Sequence, residues 1–369
     1  MTIPHLPARR ARAGARIASC LAAALLAAPS AALAQRLADV DALVAPHVGS
    51  DTPGLAVLVA EDGVVRHLAG YGVADIESQE PVTPDTLFDL ASVSKQMTAL
   101  AAALLVEDGT LDPTAPVADV LTMLPALPEG ASRAILLEDL VRHTSGLPDY
   151  LGDAPGLGFD ETTTNGDVLA WVAGMPLDAE PGTVFAYSNT GYLVLGALVA
   201  AADGVESLDA VLHARVFEPL GMTSSASGYP RDEARRASGH AGTDGAFEAS
   251  GWDTSVEGDG SIWTSLADLA RYEAALAEGF APGELLVSQG AFDDGERIAD
   301  ESGAGYGWGW SLYTDDFDRT VAAHGGSWYG TAAYYYRGLD TGVSVVVLAN
   351  GEDLDAESLA WEIARALEE

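Results

Sequence analysis

One lysine stands out in this 369-residue chain: Lys95, against 17 arginines. Ser92 lies three residues before it, and Met97 to Val106 is apolar on every side, which predicts a helix starting near Ser92 and buried all round. Burial and the positive end of a helix both disfavour an ammonium at Lys95. Residues three apart on a helix share a face, so the Ser92 hydroxyl and the Lys95 amine can meet. A hydroxyl at a helix N-terminus beside an amine that gives up its proton readily is the equipment of an activated serine. The backbone N–H groups of the same turn supply a site for a developing oxyanion.

Two further segments could complete such chemistry. Tyr187-Ser188-Asn189 follows the turn Glu180-Pro181-Gly182 and precedes an apolar helix from Tyr192 to Ala202, in a chain with only three Asn. A phenol close to Lys95 could share its proton and relay it to a leaving group, and the Asn189 amide could bind a substrate carbonyl. The structural alternative is an N-capping Asn189 with Tyr187 packed in the core. His324-Gly325-Gly326-Ser327 ends a predicted strand, where paired glycines let a substrate lie along the edge and the Ser327 N–H could join the Ser92 N–H at one oxyanion. A bulge or turn is the plain alternative there.

Together these residues resemble the serine β-lactamase and penicillin-binding-protein superfamily, in its branch of class C β-lactamases, D,D-carboxypeptidases and related esterases and D-aminopeptidases. The resemblance runs through Ala91-Ser92-Val93-Ser94-Lys95, Leu137 to Leu147 with His143-Thr144-Ser145-Gly146, Phe185 to Tyr192, Gly258 to Arg271, and His324-Gly325-Gly326. It implies that Ser92 is acylated, that Lys95 and Tyr187 exchange its proton, and that Asn189 helps position the substrate. His324, Gly326 and Ser327 would lie on the substrate and oxyanion side, and the Gly258-Asp259-Gly260-Ser261 loop would line the cleft. The implied fold is of α+β type, an antiparallel sheet flanked by helices beside a helical domain. Which of Lys95 and Tyr187 is the base stays open.

Family members that hydrolyse β-lactams usually carry Lys-Thr-Gly on the edge strand to hold the substrate carboxylate. Here that place is taken by His324-Gly325-Gly326, and no second lysine exists; Arg337 is a conceivable substitute. The departure shifts the expectation from β-lactam hydrolysis to esters or D-amino-acid peptides. A member that binds penicillin or cell-wall peptide without turnover, or uses its cleft only as a partner interface, is the non-enzymatic alternative.

Competing motifs are weak. No Gly-x-Ser-x-Gly occurs anywhere, which argues against a triad built on His143. His143-Thr144-Ser145-Gly146 reads as a helix end that supports the site, and Ser265-Leu266-Ala267-Asp268 as a helix cap. No metal or cofactor is implied, because the Asp315 to Asp318 run lacks calcium-loop spacing and no His-Glu-x-x-His occurs. Trp252, Trp263, Trp308, Trp310 and Trp328 read as core or cleft wall, where some could flank an apolar acyl group.

The elements that must hold these residues come from both ends of the chain. Gly54 to Gly72 reads as a hairpin turning at Glu61-Asp62-Gly63. Gly309 to Tyr313, Thr320 to His324, Ala332 to Arg337 and Val343 to Ala349 are β-rich, and Leu354 to Leu367 has helical spacing. Asp89 to Leu285 is mostly helices and loops. The expectation is one sheet from residues of about 35–90 and 300–369 around a mainly helical stretch of about 91–299.

Charge narrows the partners. With 18 basic against 55 acidic residues and a net charge of -37, the chain repels phosphate backbones and anionic lipid, so nucleic acid is excluded as a partner. Small esters, peptides or β-lactams are the expected substrates. Residues 1–34 read as a signal peptide, with Arg9, Arg10, Arg12 and Arg16 before the apolar Ile17 to Ala28 and a small-residue site at Ala32-Leu33-Ala34. Its removal, leaving residues 35–369, would take away the only cysteine, Cys20, and place the protein in the periplasm or medium. No membrane span is expected afterwards.

Overall fold

Leu55–Glu61 and Val343–Ala349 are almost wholly buried, as near-continuous apolar runs are when both faces of a strand are covered. They pair antiparallel, with Leu55 opposite Ala349 and Glu61 opposite Val343, so both ends of the chain meet in the middle of one sheet. The computed structural model describes residues 39–121, 134–152, 155–230, 232–243, 245–280, 282–291 and 296–368. The signal peptide expected at residues 1–34 lies outside them.

The sheet has seven antiparallel strands. Their spatial order is Gly305–Tyr306, Ser311–Thr314, Thr320–Trp328, Thr331–Gly338, Val343–Ala349, Leu55–Glu61 and Val64–Tyr71. The first hairpin turns at Asp62 and Gly63, both with positive φ, as a tight two-residue turn requires. Alternation divides each central strand between two cores. Leu55, Val57, Val59, Val345 and Val347 face the Ala356–Glu368 helix, whose Leu359, Ile363 and Leu367 repeat at helical spacing. Ala56, Leu58, Val346 and Leu348 face the helical layer that carries Lys95.

That layer is built on the Lys95–Glu107 helix, buried around its circumference, and on Asn189–Asp203 packed beside it. The middle of the chain is more than helices and loops. Leu87–Asp89, Ile262–Ser265 and Ala226–Ser227 form a three-stranded sheet that the sequence reading missed, because two- to four-residue strands carry too little alternation to register. The Ser265 cap is present, its hydroxyl accepting from the Asp268 N–H at the start of Leu266–Ala277. Among the described residues, no helix is long and apolar enough to cross a membrane.

Candidate active site

Ser92 sits in a short 3-10 turn, Ala91–Ser94, that runs directly into the Lys95–Glu107 helix. Ala91 adopts a positive φ of 45°, strained for a residue with a side chain, and the Asp89 carboxylate holds it by accepting the Ala91 N–H at 2.8 Å. Behind the turn, the Ser94 hydroxyl accepts from the Ile262 N–H and the Thr98 hydroxyl donates to the Gly258 carbonyl. Gly258 has φ 114°, and a Cβ there would lie 2.5 Å from the Tyr192 carbonyl, so only glycine lets this loop press against the Asn189–Asp203 helix.

Lys95 is 0% exposed. Its Nζ donates to Ser92 Oγ at 3.0 Å, to Asn189 Oδ1 at 2.9 Å and to the Asp259 carbonyl at 2.7 Å. All three contacts of Nζ are thus with neutral oxygens. The Tyr187 ring stands 5.0 Å from Nζ, but among the described residues no hydrogen bond joins it to Lys95. Tyr187 is 41% exposed at the cleft, which corrects the alternative of a core tyrosine. Ser188 is the helix cap, accepting from the Gly191 N–H, and Asn189 is the first residue of the helix.

The Asn189 side chain is oriented from both sides. Its oxygen takes a Lys95 proton, its Nδ2 lies 3.3 Å from Asp149 Oδ2, and its backbone N–H donates to the same carboxylate at 2.6 Å. With the amide oxygen on Lys95 and one N–H toward Asp149, the second N–H is left for a substrate carbonyl in the cavity that Asn189 lines. Asp149 was not singled out from the sequence; in a chain with 55 acidic residues its type carries no signal.

His143 supports the site from behind, as the sequence suggested. Its Nδ1 accepts from the Ser188 N–H at 3.0 Å, and its ring packs 4.3 Å from that of Tyr187. Burial, and then the nearby Lys95, hold its pKa well below the usual imidazole value. A neutral ring that accepts at Nδ1 carries its proton on Nε2.

His324 departs from expectation. The strand does not end there but continues through Gly325 and Gly326 to Trp328, so His324 and Gly326 share the face that packs against the Ser92 turn. His324 is buried, paired through Nε2 to the Tyr306 hydroxyl at 2.9 Å, and is not among the residues lining the cavity at Ser92. Burial, and secondly Lys95, depress its pKa to about 4. Its predicted place on the substrate side is therefore corrected to one behind the site. Gly326 is where the strand touches the nucleophile turn: a Cβ would lie 2.3 Å from the Leu90 carbonyl and 3.2 Å from the Ser92 nitrogen. Beyond residue 323, among the described residues, only Thr331–Gly338 remains as a strand neighbour, which leaves this edge to the cleft. Ser327 is exposed there and lines the cavity with Ser92.

The cavity at Ser92 has a volume of about 160 Å³. Asp89, Tyr150, Tyr187, Asn189, Asp259 and Trp328 contribute to its walls, and among the described residues no Arg, Lys or His does. Arg337 is no anchor for a substrate carboxylate, because its guanidinium is bound to the buried Glu273, with Nε 3.1 Å from Oε2 and Nη2 donating to Oε1 at 3.2 Å. Among the described residues, no group of three or more His, Cys, Asp or Glu could hold a metal ion.

Comparison with known proteins supplies the family. A family model described as Beta-lactamase matches residues 40–368. The chain belongs to the beta-lactamase family. Penicillin-binding protein 4 of Amycolatopsis lactamdurans is 32% identical over 84% of this chain and 83% of its own length. A D-aminopeptidase of Gluconobacter oxydans is 30% identical over 85% of this chain and 59% of that protein, and the esterase EstB of Burkholderia gladioli is 36% identical over 46% of this chain and 45% of its own. Among solved structures, the octameric penicillin-binding protein homologue from Pyrococcus abyssi superposes with a TM-score of 0.76 at 25% identity, covering 91% of this chain and 77% of that one. This member of the beta-lactamase family is accordingly a serine hydrolase with the family's mixed helix and antiparallel-sheet fold.

Proposed function

We propose that this hydrolase cleaves esters or amides, including peptide bonds, through an acyl-enzyme on Ser92. The observation that carries the reading is the 3.0 Å contact between the Ser92 hydroxyl and the amine of the chain's only lysine, fully buried. Ser92 Oγ attacks the carbonyl carbon as its proton passes to the unprotonated member of the Lys95–Tyr187 pair, either neutral Lys95 or ionised Tyr187. The oxyanion is taken up by N–H groups of the Ser92 turn and the Ser327 edge. The C–O or C–N bond then breaks, and the leaving alcohol or amine takes the proton from the pair. Water attacks the acyl carbon by the same route, the acid leaves, and Ser92 regains its proton. The Lys95–Tyr187 distance must shorten for this transfer, as catalytic contacts often do when substrate arrives.

Two observations favour ester or amide over β-lactam. The cavity wall has no cation among the described residues, and Arg337 is occupied by Glu273. A penicillin carboxylate would face Asp89 and Asp259 instead. Action outside the cytoplasm rests on the signal-like residues 1–34. The test is the ratio of kcat/KM for a short-chain p-nitrophenyl ester to that for a penicillin. A ratio above about 100 is expected, given the several kcal/mol attached to an unpaired buried charge; rapid penicillin turnover would overturn the preference.

A further inference from the structure

Among the described residues, six other than glycine adopt a positive φ. Asp62, Gln79 and Asp318 lie in exposed turns, whereas Ala91, His143 and Ser261 are buried around Ser92. Ala91 belongs to the nucleophile turn and His143 supports Tyr187, but the proposed chemistry gives Ser261 no task. Its φ of 62° is one that glycine takes at less cost, and it directly precedes the Ile262–Ser265 strand. The backbone here is fixed on three sides. The Asp259 carbonyl accepts from Lys95 Nζ, the Ser261 carbonyl accepts from the Gly228 N–H at 2.8 Å, and the Ile262 N–H donates to the Ser94 hydroxyl at 3.1 Å. That frame holds Ser261 in the wall of the cavity at Ser92. Ser261 is 6% exposed, its hydroxyl makes no hydrogen bond among the described residues, and its Oγ is not one of the unpartnered polar atoms sealed from solvent. The little surface that Ser261 retains therefore includes its hydroxyl.

We infer that the Ser261 hydroxyl donates to an uncharged oxygen of the substrate's acyl group, so that acyl chains with an ether, hydroxyl or carbonyl oxygen near the scissile carbonyl are preferred over plain alkyl chains. The inference rests on the acyl-enzyme reading and narrows its substrate class. The acyl group stays on Ser92 through both steps and takes the enclosed part of the cavity. The leaving group departs past Leu151, Tyr187 and Ser327, which are exposed at its mouth. Ser261, a buried member of the wall, meets the part that stays. An alkyl chain packed there covers the hydroxyl without supplying an acceptor, and a covered donor left unpaired counts against that substrate. An ether or hydroxyl oxygen supplies the acceptor. A carboxylate would supply one too, but it would face Asp89 and Asp259 in the same wall. Strained backbone of this kind gathers at ligand clamps.

The test compares p-nitrophenyl methoxyacetate with p-nitrophenyl butyrate, which match in chain length and differ by an ether oxygen, on the wild type, Ser261→Ala and Ser261→Gly. The methoxyacetyl carbonyl is intrinsically the more reactive. That advantage is common to all the proteins, so the change in the ratio of kcat/KM values isolates the hydroxyl. The methoxyacetate-to-butyrate ratio should fall by about five- to tenfold in both variants, the worth of a neutral hydrogen bond, whatever happens to the rate common to both esters. Ser261→Gly suits the positive φ and Ser261→Ala does not. A ratio that falls in one variant only would assign the effect to the backbone and overturn the inference, and a ratio unchanged in both would overturn it as well. Labelling of Ser92 by a fluorophosphonate, scored by mass in the same samples, separates the two readings. Labelled protein with an unmoved ratio rejects the role of Ser261 alone; a wild type that takes no label and hydrolyses neither ester rejects the acyl-enzyme with it.

Discussion

Lys95 and Arg337 are both drawn into the interior of one chain, with opposite companions. The Arg337 guanidinium lies against the carboxylate of Glu273 and over the Trp310 ring, and Glu273 is further held by the Tyr335 and Ser344 hydroxyls. Lys95 makes no ion pair among the described residues; its contacts are a hydroxyl, an amide oxygen and a carbonyl. A buried cation with a counter-charge stays charged, because losing its proton would strand a buried anion. Lys95 instead directs its contacts at neutral oxygens, one of them the Ser92 hydroxyl. The first arrangement is structural and the second suits proton traffic beside Ser92.

The same substitution at the two places should give opposite results. Lys95→Met should lower kcat/KM for a neutral ester by about a thousandfold or more, since both activation of the nucleophile and proton return are lost. Its thermal midpoint should fall only modestly, because the Asp259 carbonyl and Asn189 Oδ1 lose a donor while no salt bridge is broken. Unfolding and large activity loss together would break the comparison. Arg337→Met should instead cost roughly 3 kcal/mol in denaturant unfolding, the usual consequence of stranding a buried carboxylate, while kcat/KM stays within about threefold. Loss of turnover as deep as in Lys95→Met would show that the two cations do not differ in kind.

Two buried titrating groups sharpen the contrast from the side of pH. Burial raises the Asp89 carboxyl to about 6, against the Ala91 N–H and Arg236, which favour its charged form. The folded state therefore holds this proton more tightly than the unfolded chain, and the resulting stability is lost as pH rises from about 4 through 6. Asp89→Asn keeps an acceptor for the Ala91 N–H without the charge. It should gain roughly 2–3 kcal/mol on the wild type between pH 4 and 7. A pH-independent difference would contradict the burial of this charge. His324 has the other sign: with a folded pKa of about 4, its contribution is present above about 6.5 and lost as pH falls toward 4. Its imidazole carbon resonances should titrate with a midpoint near 4; a midpoint near 6.5 would mean that solvent in the cleft reaches the ring.

What was legible in the sequence follows from how much context each residue needs. Ser92 and Lys95 lie three apart on one helix, so local geometry suffices, and a sole lysine heading an apolar run is conspicuous. The Asp62-Gly63 turn and the alternating strands of the C-terminal end are equally local. Asp149 and Asp259 reach Asn189 and Lys95 from loops, the latter through a backbone carbonyl, which no side-chain type announces. His324 was misplaced because its glycines were taken to stop the strand. They continue it, and alternation then puts His324 on the covered face with Gly326. That Asn189 also meets Lys95 and Asp149 was not legible, because an amide's partners cannot be read from its neighbours in sequence.

The proposed chemistry makes Ser92 the nucleophile and Lys95 the group that prepares it. Intact-mass analysis of residues 35–369 after brief exposure to a fluorophosphonate, and separately to an activated short-chain ester, tests it directly, with Ser92→Ala and Lys95→Met measured alongside. One stoichiometric adduct is expected on the wild type, mapped to Ser92, absent from Ser92→Ala and formed at least about a hundredfold more slowly in Lys95→Met. A wild-type protein that stays unmodified by both reagents, or an adduct that persists in Ser92→Ala, would contradict it.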